Sequence, residues 1–236
     1  HIKYLEQVME ANNRLYNQVN RSLNALRFPI VVGGDHSSAI GSIKASLDYT
    51  KGDLSVIWID AHTDIHTEKT TPSGNIHGMP LSVCLGRCDE RFNIGKYNLK
   101  PENLYYIGVR SYEIEEISYV QESKITCYMD FEITMRKIEN IVKEIIKNIK
   151  PKYVHISFDL DCISDKEFNA VNVSVENKYI DGTGLSLKMI KTALSMLLTN
   201  LNVCSLDIVE YNPLLDVDLK CKENYEEILE VIKEAI

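Results

Sequence analysis

Asp60-Ala61-His62-Thr63-Asp64 places two carboxylates and an imidazole within five residues, directly after the apolar run Leu54-Ser55-Val56-Ile57-Trp58-Ile59. Alternating side chains of an extended segment point the same way, so Asp60, His62 and Asp64 converge where a strand leaves its sheet. Carboxylates are costly to bury without compensation, and a cation removes that cost, which makes the three a candidate metal-ligand set. Taken alone, D-x-H-x-D also fits a solvated acidic strand end with an incidental histidine. A second pair, Asp159 and Asp161, follows the buried-strand pattern Tyr153-Val154-His155-Ile156-Ser157-Phe158 with the same i, i+2 spacing. His36 follows Pro29-Ile30-Val31-Val32, inside Gly33-Gly34-Asp35-His36-Ser37. Ligands of an open parallel sheet collect outside the carboxyl ends of its strands, so these three ends are expected side by side. Two histidines and four aspartates exceed the needs of one zinc and suit a pair of divalent metals bridged by carboxylates.

The elements that must position these residues alternate along the chain. Ile2 to Leu26 has helical apolar spacing, Pro29 to Val32 reads as a strand, and a helix runs from Ser37, a good N-cap, to Leu47. Strand Leu54 to Ile59 follows, then a polar loop, a helix from about His77 to Leu85, and strands at Asn103 to Gly108 and Ile125 to Tyr128. One long amphipathic helix is expected from about Glu132 to Ile149, closed by Pro151. Strand Tyr153 to Phe158, helix Leu187 to Leu198, strand Val203 to Val209 and a helix from about Glu223 complete the series. Such alternation predicts an α/β chain with a mostly parallel sheet covered by helices on both faces.

The 236 residues, 44% hydrophobic and 25% charged, support one sizeable core, read as one domain over residues 1–236. No apolar run approaches the length of a membrane span, and no signal-like start is visible. A formal net charge of −8 argues against a nucleic-acid partner and mildly favours a cationic substrate. Cys84, Cys88, Cys127, Cys162, Cys204 and Cys221 lack C-x-x-C spacing and read as reduced thiols of a cytoplasmic protein. Cys84 and Cys88, one helical turn apart, are better explained as small packing residues than as ligands.

Five motifs in order resemble the ureohydrolases, and within them the arginases. They are Gly33-Gly34-Asp35-His36-Ser37, Asp60-Ala61-His62-Thr63-Asp64, Ser73-Gly74-Asn75-Ile76-His77-Gly78-Met79-Pro80, Ser157-Phe158-Asp159-Leu160-Asp161 and Asp207-Ile208-Val209-Glu210-Tyr211-Asn212-Pro213. The segment Asn103 to Arg110 is similar to arginases as well. The resemblance covers nearly the whole chain and implies a three-layer α/β/α sandwich, a homo-oligomer (trimer or hexamer) and a pair of manganese ions per subunit. His36, Asp60, Asp64 and Asp159 would hold one ion, and His62, Asp60, Asp159 and Asp161 the other, with Asp60 and Asp159 bridging. Metals so placed would share a water, lower its pKa and yield a hydroxide that attacks the guanidinium carbon of a small cationic substrate. Asp64 would orient that hydroxide, His77 would carry a proton to the departing amine, and Glu210 would face the guanidinium. Ser73, Asn75, His66 and Glu113 would read the rest of the substrate.

The chain departs from the arginase pattern at His66, where arginases usually have asparagine, and at Ser111 and Glu113, where they have aspartates. It also departs after Asp161, at Cys162 to Lys166 and Val171 to Ser174. Family members generally have a further strand and helices before the position of His1, which this sequence is expected to lack. The expected activity is hydrolysis of L-arginine to L-ornithine and urea. The alternatives are agmatine or another guanidino compound as substrate, and a catalytically weak relative kept for binding or regulation. His155 reads as a core histidine or one that supports a ligand, Trp58 as packing, and Asp207 as a support for the site.

Overall fold

The computed structural model describes residues 2–171 and 184–236. Among the described residues its sheet has six strands, all parallel, in the order β1-β6-β5-β2-β3-β4. They are β1 (Ile30–Val32), β2 (Leu54–Ile59), β3 (Leu104–Val109), β4 (Thr126–Met129), β5 (Tyr153–Asp159) and β6 (Val203–Val209). The helices are α1 (Leu5–Asn24), α2 (Ala39–Tyr49), α3 (Pro80–Cys84), α4 (Ile114–Glu122), α5 (Asp130–Arg136), α6 (Ile138–Asn148), α7 (Leu187–Asn200) and α8 (Lys220–Ala235).

The central strands read as unbroken apolar runs because both faces of the sheet are covered. Ile57, Ile59, Ile107, Ile156, Phe158, Leu206 and Ile208 point to one side and pack with Ile141 and Ile145 of α6, Ile190 and Leu194 of α7 and Ile228 of α8. The alternate residues Leu54, Val56, Trp58, Leu104 and Tyr106 point to the other side and pack with Ile43 and Leu47 of α2, Leu81 of α3 and Val120 of α4. The expected α/β layers are therefore present. The chain leaves β2 toward β3 and β4, then returns through α5 and α6 to place β5 on the other flank of β2. Strand order reverses there, which opens a crevice between the carboxyl ends of β2 and β5.

Two local expectations are corrected, and one helix was not expected. Ser37 is not the N-cap of α2; a 3-10 turn over His36–Ser38 precedes that helix, and Asp35 caps the turn by accepting the Ser37 N–H at 3.0 Å. The long helix is two, because Lys137 adopts φ 70 and ψ 139 between α5 and α6. Ile133 and Ile138, five positions apart, would point about 140° from each other on a continuous helix. The break lets both reach the core, at 0% and 2% exposure. Helix α4 went unread in the sequence, although Glu113 and Glu116 form a capping box at its start.

Gly108 sits where the β3–β4 register shifts, with φ +101. A Cβ there would lie 3.3 Å from the carbonyl oxygen of Asp60. Gly108→Ala is therefore expected to destabilise the fold by roughly 1–3 kcal/mol through backbone strain, read as a lower urea midpoint; an unchanged midpoint contradicts this.

Candidate metal centre

The end of β1 leads into the 3-10 turn that buries His36 to 1% exposure. Its ring stacks on Trp58 of β2, with centroids 3.8 Å apart and planes 7° from parallel. Its Nε2 pairs with Ser157 Oγ at 2.9 Å, which leaves Nδ1 facing the carboxylates. Trp58 thus both packs and sets the plane of a candidate ligand. Behind it, Asp207 Oδ2 accepts from Ser42 Oγ at 2.6 Å and pairs with His155 Nε2 at 3.0 Å. His155 is a fully buried histidine whose Nδ1 pairs with Ser205 Oγ at 2.6 Å.

His36 Nδ1 lies 2.9 Å from Asp60 Oδ2, 3.1 Å from Asp159 Oδ2 and 3.3 Å from Asp64 Oδ2. His62 Nδ1 lies 2.9 Å from Asp161 Oδ2 and 3.5 Å from Asp60 Oδ1. All six candidate ligands therefore meet in one volume. Two groups have ligand atoms close enough to share an ion, His36 with Asp60 and Asp159, and Asp60 with His62 and Asp161. Asp60 belongs to both, while Asp159 falls in the first alone. Despite the short distances, His36 Nδ1 and Asp60 Oδ2 are buried and make no hydrogen bond of proper geometry. A cation between them satisfies both, so the residues present fit a metal.

The three strand ends are not neighbours as expected. β6 pairs with both β1 and β5 and lies between them. Its end supplies Glu210, at φ +69, whose Oε1 accepts the backbone N–H of His36 at 3.0 Å.

The acidic loop is held from several sides. Tyr106 donates its hydroxyl to the Thr63 carbonyl at 2.6 Å, Leu81 N–H donates to the Asp64 carbonyl at 3.2 Å, and Arg87 and Ser82 both donate to the Ile65 carbonyl. These contacts keep Asp64 in the left-handed conformation, φ 46. Arg110 donates to the carbonyls of Asp161 and Cys162 at 2.5 and 3.1 Å, and the Ala61 N–H donates to Asp161 Oδ1 at 3.2 Å.

Charge in this volume is strongly redistributed. Burial opposes protonation of His36, but Asp159, Asp60 and Asp64 outweigh it and hold its pKa well above the ordinary value. Burial likewise opposes charge on His62, and Asp161 and Asp60 outweigh it. Burial pushes the Asp60 carboxyl up, yet His36 and His62 hold it below the ordinary range. Burial and the Asp60 charge push Asp64 up to about 7, and burial with Asp161 and Asp60 raises Asp159. Metal ligands must be deprotonated, so uptake has to displace protons from His36, His62, Asp64 and Asp159. These are raised pKa values; the protons are present below them and already lost above them. Binding at pH 6 is therefore expected to release more than one proton and to tighten as pH rises through about 7. Calorimetry in buffers of different ionisation enthalpy measures this, and zero release at pH 6 is the contrary result.

A pocket of about 630 Å³ opens over the centre, lined among others by Asp64, Asp159, Asp161, Ser73, Asn75, His77, His66, Glu113 and Glu210. Every sequence-predicted substrate-side residue is thus in it. Desolvation in the pocket wall lowers the pKa of His77, and burial raises Glu210 to about 7. The Ser73 hydroxyl accepts the Asn75 N–H at 3.1 Å. Asp35 and Glu116 line the pocket too and had not been singled out. The capping-box spacing of Glu113 and Glu116 was the one available signal for the latter. Val171 lines the wall, while Asn172, Val173 and Ser174 of the altered loop lie outside the described residues. Cys84 is buried in the core beside Leu81, and all six cysteines are free thiols. No helix among the described residues is long and apolar enough to cross a membrane.

A family model described as "Arginase family" matches residues 2–230. The chain is 36% identical over 233 residues to an arginase of Bacillus subtilis, covering 97% of this chain and 76% of that protein. An arginase of Brevibacillus brevis is 38% identical over 219 residues, covering 91% and 71%. The crystal structure of the Bacillus subtilis arginase superposes with a TM-score of 0.90 at 35% identity, covering 98% of this chain and 79% of that one. The native arginase of Bacillus caldovelox gives a TM-score of 0.90 at 34% identity, covering 98% and 77%. The fold is arginase-like, and the chain belongs to the arginase family of metal-dependent ureohydrolases.

Proposed function

We propose that this enzyme hydrolyses L-arginine to L-ornithine and urea with two Mn²⁺ ions per subunit. The observation that carries the reading is Asp60, shared by two ligand groups, with the unbonded His36 Nδ1 turned toward it. Six ligands with four carboxylates and only two imidazoles favour manganese over softer metals. When bound, the metal pair supplies Lewis acidity that makes a water nucleophilic near neutral pH.

The remaining work falls to the chain. The Asp64 carboxylate, fixed by its loop contacts, accepts a hydrogen bond from the attacking water and aligns it. Glu210 keeps Oε1 on the His36 N–H and presents its other oxygen to the guanidinium, whose positive charge favours the ionised carboxylate despite burial. His77 delivers a proton to the departing amine. With its pKa lowered it is neutral at rest near pH 7, so it must take up that proton from solvent at the pocket mouth. Ser73, Asn75, His66 and Glu113 face the substrate's far end.

One observation favours agmatine or another guanidino compound instead. His66 Nε2 is 3.2 Å from Glu113 Oε2, so two residues assigned to the amino-acid head engage each other. Urea release from L-arginine and agmatine, assayed in parallel on manganese-loaded protein, separates the readings; faster agmatine turnover overturns arginine as the substrate. The proposal also takes the chain as one domain and the enzyme as a cytoplasmic homo-oligomer, a trimer or hexamer. The free thiols support a reducing compartment, and light scattering reads the assembly.

A further inference from the structure

A third cluster stands on the pocket wall, apart from the six ligands above. His66 Nε2 lies 3.2 Å from Glu113 Oε2 and 3.6 Å from Glu116 Oε2. The geometry points to an additional metal site formed by His66, Glu113 and Glu116, suited to a tetrahedral divalent cation such as zinc.

Zinc bonds of about 2.0–2.1 Å to nitrogen and oxygen put neighbouring tetrahedral ligands about 3.4 Å apart. The two separations bracket that value. The ligand atoms of all three residues fall within 4.8 Å of one another. The ring is oriented from behind, since His66 Nδ1 meets Thr70 Oγ1 at 3.0 Å and that oxygen accepts the Thr67 N–H at 2.9 Å. A hydrogen-bonded far nitrogen is the usual way a ligating imidazole is aimed.

Glu116 is equally fixed. Its Oε1 accepts the Ile65 N–H at 3.2 Å and its Oε2 the Glu113 N–H at 3.0 Å. His66 and Glu116 are buried, whereas the Glu113 side chain is 49% exposed to the pocket. Three protein ligands with one side open form the kind of zinc site that retains an exchangeable position.

A single ring nitrogen cannot satisfy both carboxylates. Its contact with Glu113 is a hydrogen bond, and 3.6 Å to Glu116 is too long for one. Burial and the Glu113 carboxyl push the Glu116 carboxyl up to about 7, so near neutral pH the two glutamates share a proton, and a cation at the centre of the three ligands would take that proton's place. An ion there would also occupy the wall that the substrate's far end faces, so zinc would compete with substrate.

The test counts ions on the full-length, manganese-saturated protein after equilibration with excess zinc. Total divalent metal per chain, measured by inductively coupled plasma mass spectrometry, is expected to be one ion higher in the wild type than in Glu113→Gln or His66→Asn. That difference does not depend on how many ions the inner cluster holds, so failure of the two-manganese reading leaves it intact. Anomalous scattering at the zinc edge, from crystals of the unaltered protein, should give a peak bounded by the three side chains. Equal counts across wild type and both variants, or no such peak, overturns the site.

Discussion

Replacing Asp60 by asparagine is expected to cost the enzyme most of its bound metal and at least roughly 10³-fold in turnover, because Lewis-acid stabilisation is several kcal/mol and each tenfold is about 1.4 kcal/mol. Asp60 is wholly buried, lowered in pKa by two imidazoles and shared between two ligand groups. Asparagine keeps the shape and a carbonyl oxygen for the His62 N–H, which now lies 2.6 Å from Asp60 Oδ1. It removes the charge and turns an amide N–H₂ or a neutral oxygen toward the cation. Metal analysis and urea release on the same preparation check this. A variant that keeps both its metal and its rate would remove Asp60 from the centre.

His77→Ala is expected to separate the two readouts that Asp60→Asn moves together. His77 lines the pocket and ends no ligand group, so metal content should be unchanged. Turnover should fall about 10²–10⁴-fold, the usual contribution of a positioned general acid or base. With desolvation lowering its pKa, protonated His77 becomes scarce as pH rises, so the wild-type rate should decline on the alkaline side. That limb should flatten in the variant, and small imidazoles in the buffer should restore part of the rate. Equal turnover at every pH would show that His77 moves no proton.

Much of the centre was readable because its spacing is local. Asp60 with His62, and Asp159 with Asp161, sit at i and i+2 directly after buried apolar runs, which marked them as strand-end ligands. Strand β2 nevertheless stops at Ile59 and Asp161 lies in a 3-10 turn, so the turns after the strands and not strand alternation bring them together. The strands themselves were readable for the same reason; β6 begins and ends at Val203 and Val209 as expected. Helix ends were less legible. The turn at Lys137 carries no glycine or proline to announce it and exists so that Ile133 and Ile138 can both be buried.

The sequence by itself determined which residue types could hold a cation, that they follow strands, and which family the motifs resemble. Only the tertiary structure decided that β6 separates β1 from β5, that Glu210 therefore holds the His36 backbone across 174 residues of chain, and that Trp58 stacks on the His36 ring. It also decided that His66 engages Glu113 and lies beside Glu116. The physical reason is range. Periodicity is set by dihedral angles over a few residues, whereas contacts between distant segments are set by strand order and by which side chains must share a buried volume.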